Sequence, residues 1–328
     1  MISRFTTHSF WLRRWSAAGD ALTHGDVQWH DQKAKGMRKL QRQLKILCER
    51  NRDGGDKTQH QRARILSQIA DQLWQMGFRE LEYDQLGGRH VNRLLKRWEE
   101  EDLSPGTIKN RMAVLRWWAQ KIGRGHILSK SNDDYDIPRR QYVTNISKGI
   151  QLAHESLAKI TCPYVKLSLM LQRDFGLRKE EAICFAPSYA WNPEQDPNWI
   201  HLKPWWTKGG RPRSVPVRTE AQRETLTAVS ALCGRGSLIP EGKKIEDQRG
   251  RYDAQTRQAG LSKLHGLRHA YAQQRFFDLK GEPCPVLGGK RRRDMTKEER
   301  AADDAVRLDI SEELGHSRVD ITNIYLGS

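Results

Sequence analysis

Apolar residues recur at spacings of three and four through four segments that lie between residues 32 and 128. Lysine and arginine fill many of the positions between them, so each segment predicts an amphipathic helix with a basic outer face. The four segments read MRKLQRQLKILCER, RARILSQIADQLWQMG, GGRHVNRLLKRWEEE and SPGTIKNRMAVLRWWAQKIG. Residues 32–128 are therefore predicted to form a small all-helical bundle, preceded by an N-terminal extension over residues 1–31.

The rest of the chain combines further helices with one β-hairpin. Residues 129–145 are polar and lack helical periodicity, which predicts a linker. Alternating apolar residues then flank a Gly-Gly turn in NWIHLKPWWTKGGRPRSVPV, the pattern of a hairpin. Further helices are expected at about 150–160, 163–174, 219–232, 243–259, 265–280 and 296–315. The predicted fold is mainly α with a small β-hairpin (α+β), and residues 146–328 form its second domain.

Basic residues are in large excess along the whole chain. The 328 residues carry a formal net charge of +17, and the excess is not confined to a tail. Because a positive field of that size repels itself unless it meets a polyanion, an anionic partner is expected. Nucleic acid is the first candidate. An acidic membrane surface is the second, but the sequence lacks the basic amphipathic helix with a large apolar face that such binding needs.

Cysteine usage and hydropathy indicate the compartment. The five cysteines are widely spaced and contain no C-x-x-C pair, which predicts reduced thiols in a cytosol and no zinc site. No stretch approaches ~18 uninterrupted apolar residues, so no membrane span is predicted. The WLRRW near the start is not followed by the apolar run of an export signal. A cytoplasmic, nucleoid-associated protein is expected.

Four separated pieces of the second domain suit phosphodiester chemistry: FGLRKEEA, WTKGGRPR, LHGLRHAYA and LGHSRVDITNIY. Singly, each also fits a solvated surface, a protected hairpin edge or a helix end. Together they supply guanidinium groups that fork onto phosphate oxygens, histidines that move a proton, a lysine as general acid and a phenol that can attack phosphorus. A phenol is a weak nucleophile at neutral pH, and cationic neighbours favour its ionised form. The sequence shows no acidic cluster with magnesium spacing, so these cations would neutralise the phosphate.

These pieces resemble the catalytic domain of the tyrosine recombinase (phage integrase) family. In that family an arginine follows a Gly-Leu pair, a lysine sits in a β-hairpin, a His-x-x-Arg opens a helix, and Leu-Gly-His precedes the nucleophilic tyrosine by nine residues. The matching residues here are Arg178, Lys208, His265, Arg268, His316 and Tyr325, with Glu181 in the place of the family's supporting acid. The likeness covers residues 146–328 closely. Residues 32–128 resemble the family's core-DNA-binding domain only in size and helix count.

The resemblance implies a mechanism that uses no metal, ATP or other cofactor. Tyr325 would attack a phosphodiester to give a 3′-phosphotyrosine and a free 5′-hydroxyl. His265, supported by Glu181, would assist proton transfer, and Lys208 would protonate the leaving 5′-oxygen. Three further cations would hold the pentavalent phosphate: Arg178, Arg268 and His316. The implied partners are duplex DNA and further copies of the chain (a dimer to a tetramer), with room for an accessory DNA-bending or directionality factor and no membrane.

Two features depart from the common family pattern. Arg268 and His316 are 48 residues apart, and the extra length falls at about 281–307. The basic run in this segment is interpreted either as an added DNA contact or as a solvated loop: Lys290, Arg291, Arg292 and Arg293. The sequence stops three residues after Tyr325, where many family members continue into a tail that docks on the neighbouring protomer. How protomers would couple is therefore left open.

Alternatives remain at this point. An enzyme with the same chemistry but no partner exchange, such as a type IB topoisomerase-like or resolving protein, would not exchange strands between duplexes. A non-cutting DNA-binding regulator with this fold would keep its activity without Tyr325. The integrase of a mobile element is the role that the resemblance favours. The paired tryptophans Trp117–Trp118 and Trp205–Trp206 are interpreted as core residues rather than base-stacking platforms.

Overall fold

The computed structural model of the protein describes residues 38–316 and 318–328. The chain divides into two compact units between Arg140 and Gln141, and each is described by itself. The predicted N-terminal extension, residues 1–31, lies outside the described residues.

Each of the four helical segments predicted in the N-terminal unit overlaps one helix, and the second helix begins at Asp56, before its predicted segment. Their apolar stripes pack on one another around Trp98 and Trp118, which are fully buried. Both indole N–H groups are satisfied, by Gln72 Oε1 at 2.9 Å and by the carbonyl of Tyr83 at 2.6 Å. The helices are α1 (Lys39–Arg50), α2 (Asp56–Gln75), α3 (Gly88–Glu100) and α4 (Pro105–Lys121).

Part of the predicted linker packs on this helical unit. Leu128 and Ile137 are buried in its core, and a single 3₁₀ turn, Asp133–Tyr135, lies between them. The boundary between the two units, after Arg140, falls inside the predicted linker of residues 129–145, and the part before it belongs to the N-terminal unit. The sequence signal was weak because Ile137 is an isolated apolar residue in a polar stretch, and one residue shows no periodicity.

The C-terminal unit is helical, with one short hairpin. Strands β1 (Trp199–Leu202) and β2 (Arg213–Pro216) are antiparallel, with Ile200 opposite Val215. These two side chains are buried in the main core, on the inward face that the alternation predicted. The helices are α5 (His154–Ala158), α6 (Pro163–Phe175), α7 (Lys179–Ile183), α8 (Pro187–Ala190), α9 (Glu220–Cys233), α10 (Ile245–Gln258), α11 (Gly266–Lys280), α12 (Lys297–Glu313) and α13 (Val319–Leu326). The prediction of a mainly helical fold with one small hairpin is confirmed.

The paired tryptophans do not behave alike. Trp118 and Trp206 are buried, as expected, and Trp117 is partly buried with its indole N–H donating to Asp53 at 2.8 Å. Trp205, however, is 69% exposed, so its assignment to the core is wrong. The 3₁₀ turn Pro204–Trp206 explains this, because adjacent side chains of a tight turn point in different directions and only one can face the core.

All five cysteines are free thiols. Among the described residues, no helix has the length and apolar character required to cross a membrane.

Candidate active site

Glu181 organises the arginines at the base of the site. Its carboxylate is fully buried on α7 and accepts 2.7 Å bonds from the backbone N–H and the Nη1 of Arg178. Arg213, on β2, forks onto both carboxylate oxygens at 2.8 and 2.7 Å. Burial alone would raise the pKa of Glu181, but the hydrogen bonds and charge of Arg213 outweigh it and lower that pKa to about 2. The carboxylate is therefore ionised at neutral pH and holds two cations in place.

The expected support of His265 by Glu181 takes a different form. None of the hydrogen bonds described for Glu181 reaches His265, because both oxygens are taken by arginines. The carboxylate acts on His265 only through its charge, which opposes the stronger effects of burial and of Arg268 that lower the pKa of this histidine. Glu181 thus supports the site by positioning arginines.

Arg268 lies at the start of α11 and is only 1% exposed. Its guanidinium donates to the carbonyls of Gly176, at 2.6 Å, and of Leu314, and its Nε lies 3.4 Å from the hydroxyl of Tyr325. Burial lowers the pKa of Arg268 to about 10, so the group stays cationic at neutral pH. A buried cation beside the phenol is an arrangement that can hold a phosphate next to the hydroxyl.

The Leu-Gly-His motif follows the C-terminus of α12. Gly315 has a φ of +69°, and a Cβ there would meet the Cδ of Arg213 at 2.9 Å, so glycine suits the turn on both grounds. The turn brings His316 Nε2 to 3.4 Å from Nη2 of Arg178. Burial, then the charges of Arg268 and Arg178, lower the pKa of His316 to about 4. His316 is therefore neutral at neutral pH in the DNA-free protein.

Tyr325 lies on α13 with only 5% of its surface exposed. Its backbone carbonyl accepts a 3.0 Å bond from Gln273 Nε2 on α11. Three histidine rings surround the phenol ring, with centroids at 4.6 Å for His269 and 6.2 Å for both His265 and His316. The structure thus brings together five of the six residues predicted from the sequence: Arg178, His265, Arg268, His316 and Tyr325.

Lys208 is the sixth, and the structure does not join it to the others. It is exposed on the loop between β1 and β2, next to Gly209 and Gly210, which have φ values of +80° and +68°. The loop is pinned at its base, where Thr207 Oγ1 donates to the carbonyl of Arg211 at 2.7 Å. The lysine is therefore carried by the hairpin beside the site, and its role remains a prediction.

Two residues of the site were missed in the sequence. Arg213 looks like an ordinary basic residue of a hairpin, and only its buried pairing with Glu181 shows its importance. His269 could have been found, because it lies four residues after His265 and helical spacing places both on one face. It is buried, and its Nδ1 has no hydrogen-bond partner among the described residues. Burial, then the charge of His265, lower the pKa of His269 to about 4.

The predicted basic run of residues 290–293 is partly neutralised within the chain. Lys290 pairs with Glu299 at 2.6 Å, and Arg292 pairs with Asp303 at 2.7 Å. Arg291 and Arg293 are exposed. The acidic residues of α12 explain the difference, because they follow the run closely in sequence and fold back onto it. Arg293 also pairs with its neighbour Asp294, at 3.5 Å, and the predicted contact of this run with DNA stays a prediction.

Solvent reaches the site through an open cavity of about 650 Å³ between the hairpin and α12. Arg213, Arg275 and His316 are among the residues that line it. Acidic residues line it as well, namely Asp309, Glu312 and Glu313, so the cavity reaches the edge of the cluster at His316 without being uniformly basic.

The stability of the DNA-free protein should fall as the pH drops from about 6.5 towards 4. The pKa values of His269 and His316 are near 4 in the fold, whereas both take up a proton near 6.5 when unfolded. The unfolded state thus binds more protons in this window, so the free energy of unfolding decreases as the pH falls through it. Denaturant titrations at several pH values across this window measure the free energy of unfolding. For the double variant His269→Gln/His316→Gln, that free energy should depend less steeply on pH than it does for the wild type. Equal dependences for the variant and the wild type would contradict the assignment.

Known proteins resemble the chain in both units. A sequence profile described as "Phage integrase, N-terminal" matches residues 37–128, and one described as "Integrase" matches residues 143–274. The second match ends before His316 and Tyr325. No curated protein matched the sequence.

Solved structures with a similar fold include three DNA complexes. A lambda integrase dimer bound to a COC′ core site shares 15% identity over 86% of this chain and 91% of that chain, with a TM-score of 0.55. XerH site-specific recombinase bound to palindromic difH substrate shares 16% sequence identity over 92% of this chain and 83% of that chain, with a TM-score of 0.52. The Tn1549 transposon integrase in complex with circular intermediate DNA shares 14% sequence identity over 88% of this chain and 95% of that chain, with a TM-score of 0.52. At these identities the likeness is one of fold.

Proposed function

The chain belongs to the tyrosine recombinase (phage integrase) family and acts on DNA, and we propose that it cuts and rejoins duplexes through a covalent 3′-phosphotyrosine at Tyr325. The observation that carries this proposal is the contact between the Tyr325 hydroxyl and Nε of Arg268, at 3.4 Å, inside a shell that also holds Arg178 and His316. A phenol alone is unreactive, whereas a phenol beside buried cations is placed for attack on phosphorus.

In the proposed cleavage step, the oxygen of Tyr325 bonds to phosphorus while the bond from phosphorus to the 5′-oxygen breaks. Arg178, Arg268 and neutral His316 donate hydrogen bonds to the non-bridging oxygens as negative charge develops. His265 takes the phenolic proton, and Lys208 gives a proton to the departing 5′-oxygen. The phosphodiester energy is kept in the new bond, so attack by a 5′-hydroxyl reverses the step.

The proposal extends to the assembly. The structures that share the fold include a lambda integrase dimer on a core site, and we infer that this chain likewise works as two or more copies on duplex DNA. The helical unit would add lysine and arginine contacts to phosphates, which supply affinity and a steep dependence on salt. An integrase of a mobile element, acting in the cytoplasm on nucleoid DNA, is the role we propose. The profile matches do not favour the topoisomerase-like and non-cutting alternatives.

Covalent trapping in EDTA tests this function. Supercoiled plasmid carrying the DNA that flanks the gene would be incubated with the wild-type chain or with Tyr325→Phe, and adducts collected after denaturation. We expect an adduct with the wild type only, a free 5′-hydroxyl at the break, and unchanged salt-sensitive binding by the variant, because the lost hydroxyl is needed for attack alone. An adduct of equal yield with Tyr325→Phe would refute the proposal, as would binding by the wild type without any adduct.

A further inference from the structure

Residues 281–307, the extra length between the two site motifs, fold into a compact segment beside α13. The segment contains two 3₁₀ turns, Pro285–Leu287 and Arg292–Asp294, and the first turns of α12. The nucleophile helix α13 packs against the first of these turns as well as against α11 and α12. The segment therefore packs against the nucleophile helix and is not only an addition to the protein surface.

The apolar contact between the segment and α13 is made at Gly327. A Cβ at this position would lie 2.8 Å from Cγ1 of Val286 and 3.2 Å from Cβ of Pro285. The φ of Gly327 is +80°, which also favours glycine. The turn of the segment and the end of the tyrosine helix are therefore in close packing.

A buried charge cluster lies beneath this contact. Asp303 is fully buried and accepts bonds from Arg292 at 2.7 Å, from Arg307 at 2.5 Å and from Lys280 at 3.3 Å. Arg292 belongs to the segment and Lys280 to the end of α11. The carboxylate thus joins the inserted turn to the two helices that flank it.

Arg307 extends the cluster to α13. Its Nη1 donates to Oδ1 of Asn323 and to the carbonyl of Gly327, both at 2.9 Å. The second bond serves a carbonyl at the helix terminus that has no partner within the helix. Arg307 is fully buried, yet its Nη2 has no hydrogen-bond partner among the described residues. Since buried ion pairs seldom repay their desolvation, such a group is better explained by positioning than by stability.

We propose that residues 281–307 form a clamp that holds α13 against the rest of its own subunit. Arg307 is the positioning residue of this clamp. The inference rests on the proposed function, because it assigns the clamped helix the attacking tyrosine. Asn323 and Gly327 lie two residues before and two residues after Tyr325, so the anchors bracket the phenol. A displacement of about 1 Å at a reacting group can cost roughly 100-fold in rate, which makes such an anchor consequential.

Two substitutions separate positioning from folding. Arg307→Lys keeps a cation beside Asp303 but cannot reach both acceptors on α13. Asn323→Ala removes one acceptor on α13 and leaves the pair of Arg307 with Asp303 intact. Arg257→Lys is the matched control, because Arg257 is exposed on α10, outside residues 281–307 and outside α13.

Hydrogen exchange of the full-length, DNA-free chain gives the first readout. We expect amides of residues 319–328 to exchange about tenfold faster in Arg307→Lys and Asn323→Ala, since bonds to a charged group are lost, while α6 and α11 keep their protection. Unchanged exchange at 319–328 would overturn the proposal. So would an equal loss of protection throughout the unit, which is what a merely structural role predicts.

Single-turnover cleavage at saturating protein gives the second readout. The two variants should cleave about 10- to 100-fold more slowly with DNA affinity within about twofold, and Arg257→Lys should match the wild type. Faster exchange with wild-type cleavage would refute the positioning role. If the wild type itself does not cleave, the proposed function fails, whereas the clamp is still decided by the exchange data.

Discussion

Replacing Arg268 by lysine should lower the single-turnover rate of DNA cleavage by about 100- to 1,000-fold while the chain stays folded. The guanidinium reaches two carbonyls and the Tyr325 hydroxyl at once, which an ammonium on a flexible stem cannot do. Because lysine keeps the positive charge, a slower cleavage rate would reflect the loss of the guanidinium's hydrogen-bond geometry. The measurement is cleavage of a labelled duplex with protein in excess, together with thermal unfolding of both proteins.

Arg275→Lys is the control for this result. Arg275 lies two turns further along α11 and pairs with Glu313 at 2.8 Å, away from the phenol. Its replacement should change the cleavage rate by no more than about threefold. Equal losses in both variants would show that the helix, rather than the contact with Tyr325, had been disturbed. Wild-type cleavage by Arg268→Lys would remove Arg268 from the mechanism.

Replacing Glu181 by alanine should lower the free energy of unfolding by about 3–5 kcal/mol. The carboxylate is fully buried and is shared by Arg178 and by Arg213, whose side chain is 5% exposed. Without it, Arg213 is left as a buried charge whose remaining described bond goes to the carbonyl of Glu313. Denaturant unfolding of the isolated chain measures the change without any assumption about DNA.

The neighbouring Glu180 provides the matched comparison. It pairs with Arg249 in a setting where the two side chains are 32% and 27% exposed. Solvent screens such a pair, so Glu180→Ala should cost less than about 1 kcal/mol. A similar cost for both substitutions would mean that the Glu181 network does not hold the arginines as described.

The sequence predicted the parts of the fold that depend on local pattern. Helical periodicity located α1 to α4, and alternation around Gly-Gly located the hairpin with Ile200 and Val215 facing inward. The candidate site residues were found because four short motifs, each ambiguous when taken singly, together resemble the pattern of one family. Five of these six then lie together in space, which is a property of the tertiary fold.

Features that depend on long-range contacts were not predictable in the same way. Arg213 belongs to the site only because the fold packs β2 against α7, where Arg213 pairs with Glu181. The proposed clamp of residues 281–307 likewise depends on the hydrogen bonds of Arg307 to α13, which join residues of two different helices. Trp205 was misplaced because a tight turn interrupts the strand pattern. The hydrogen bonds of Glu181 to Arg178 and Arg213 likewise could not be predicted, since sequence spacing does not determine which nearby cations a buried carboxylate will pair with.

The most direct measurement is to identify the residue that carries the DNA in the covalent adduct. Cleavage of the trapped protein after Arg318 releases residues 319–328, VDITNIYLGS, a peptide with a single tyrosine. Nuclease digestion and mass spectrometry should find a nucleotide joined through its 3′-phosphate to Tyr325. A nucleotide on any other residue, or an adduct whose link is to a 5′-phosphate, would contradict the account.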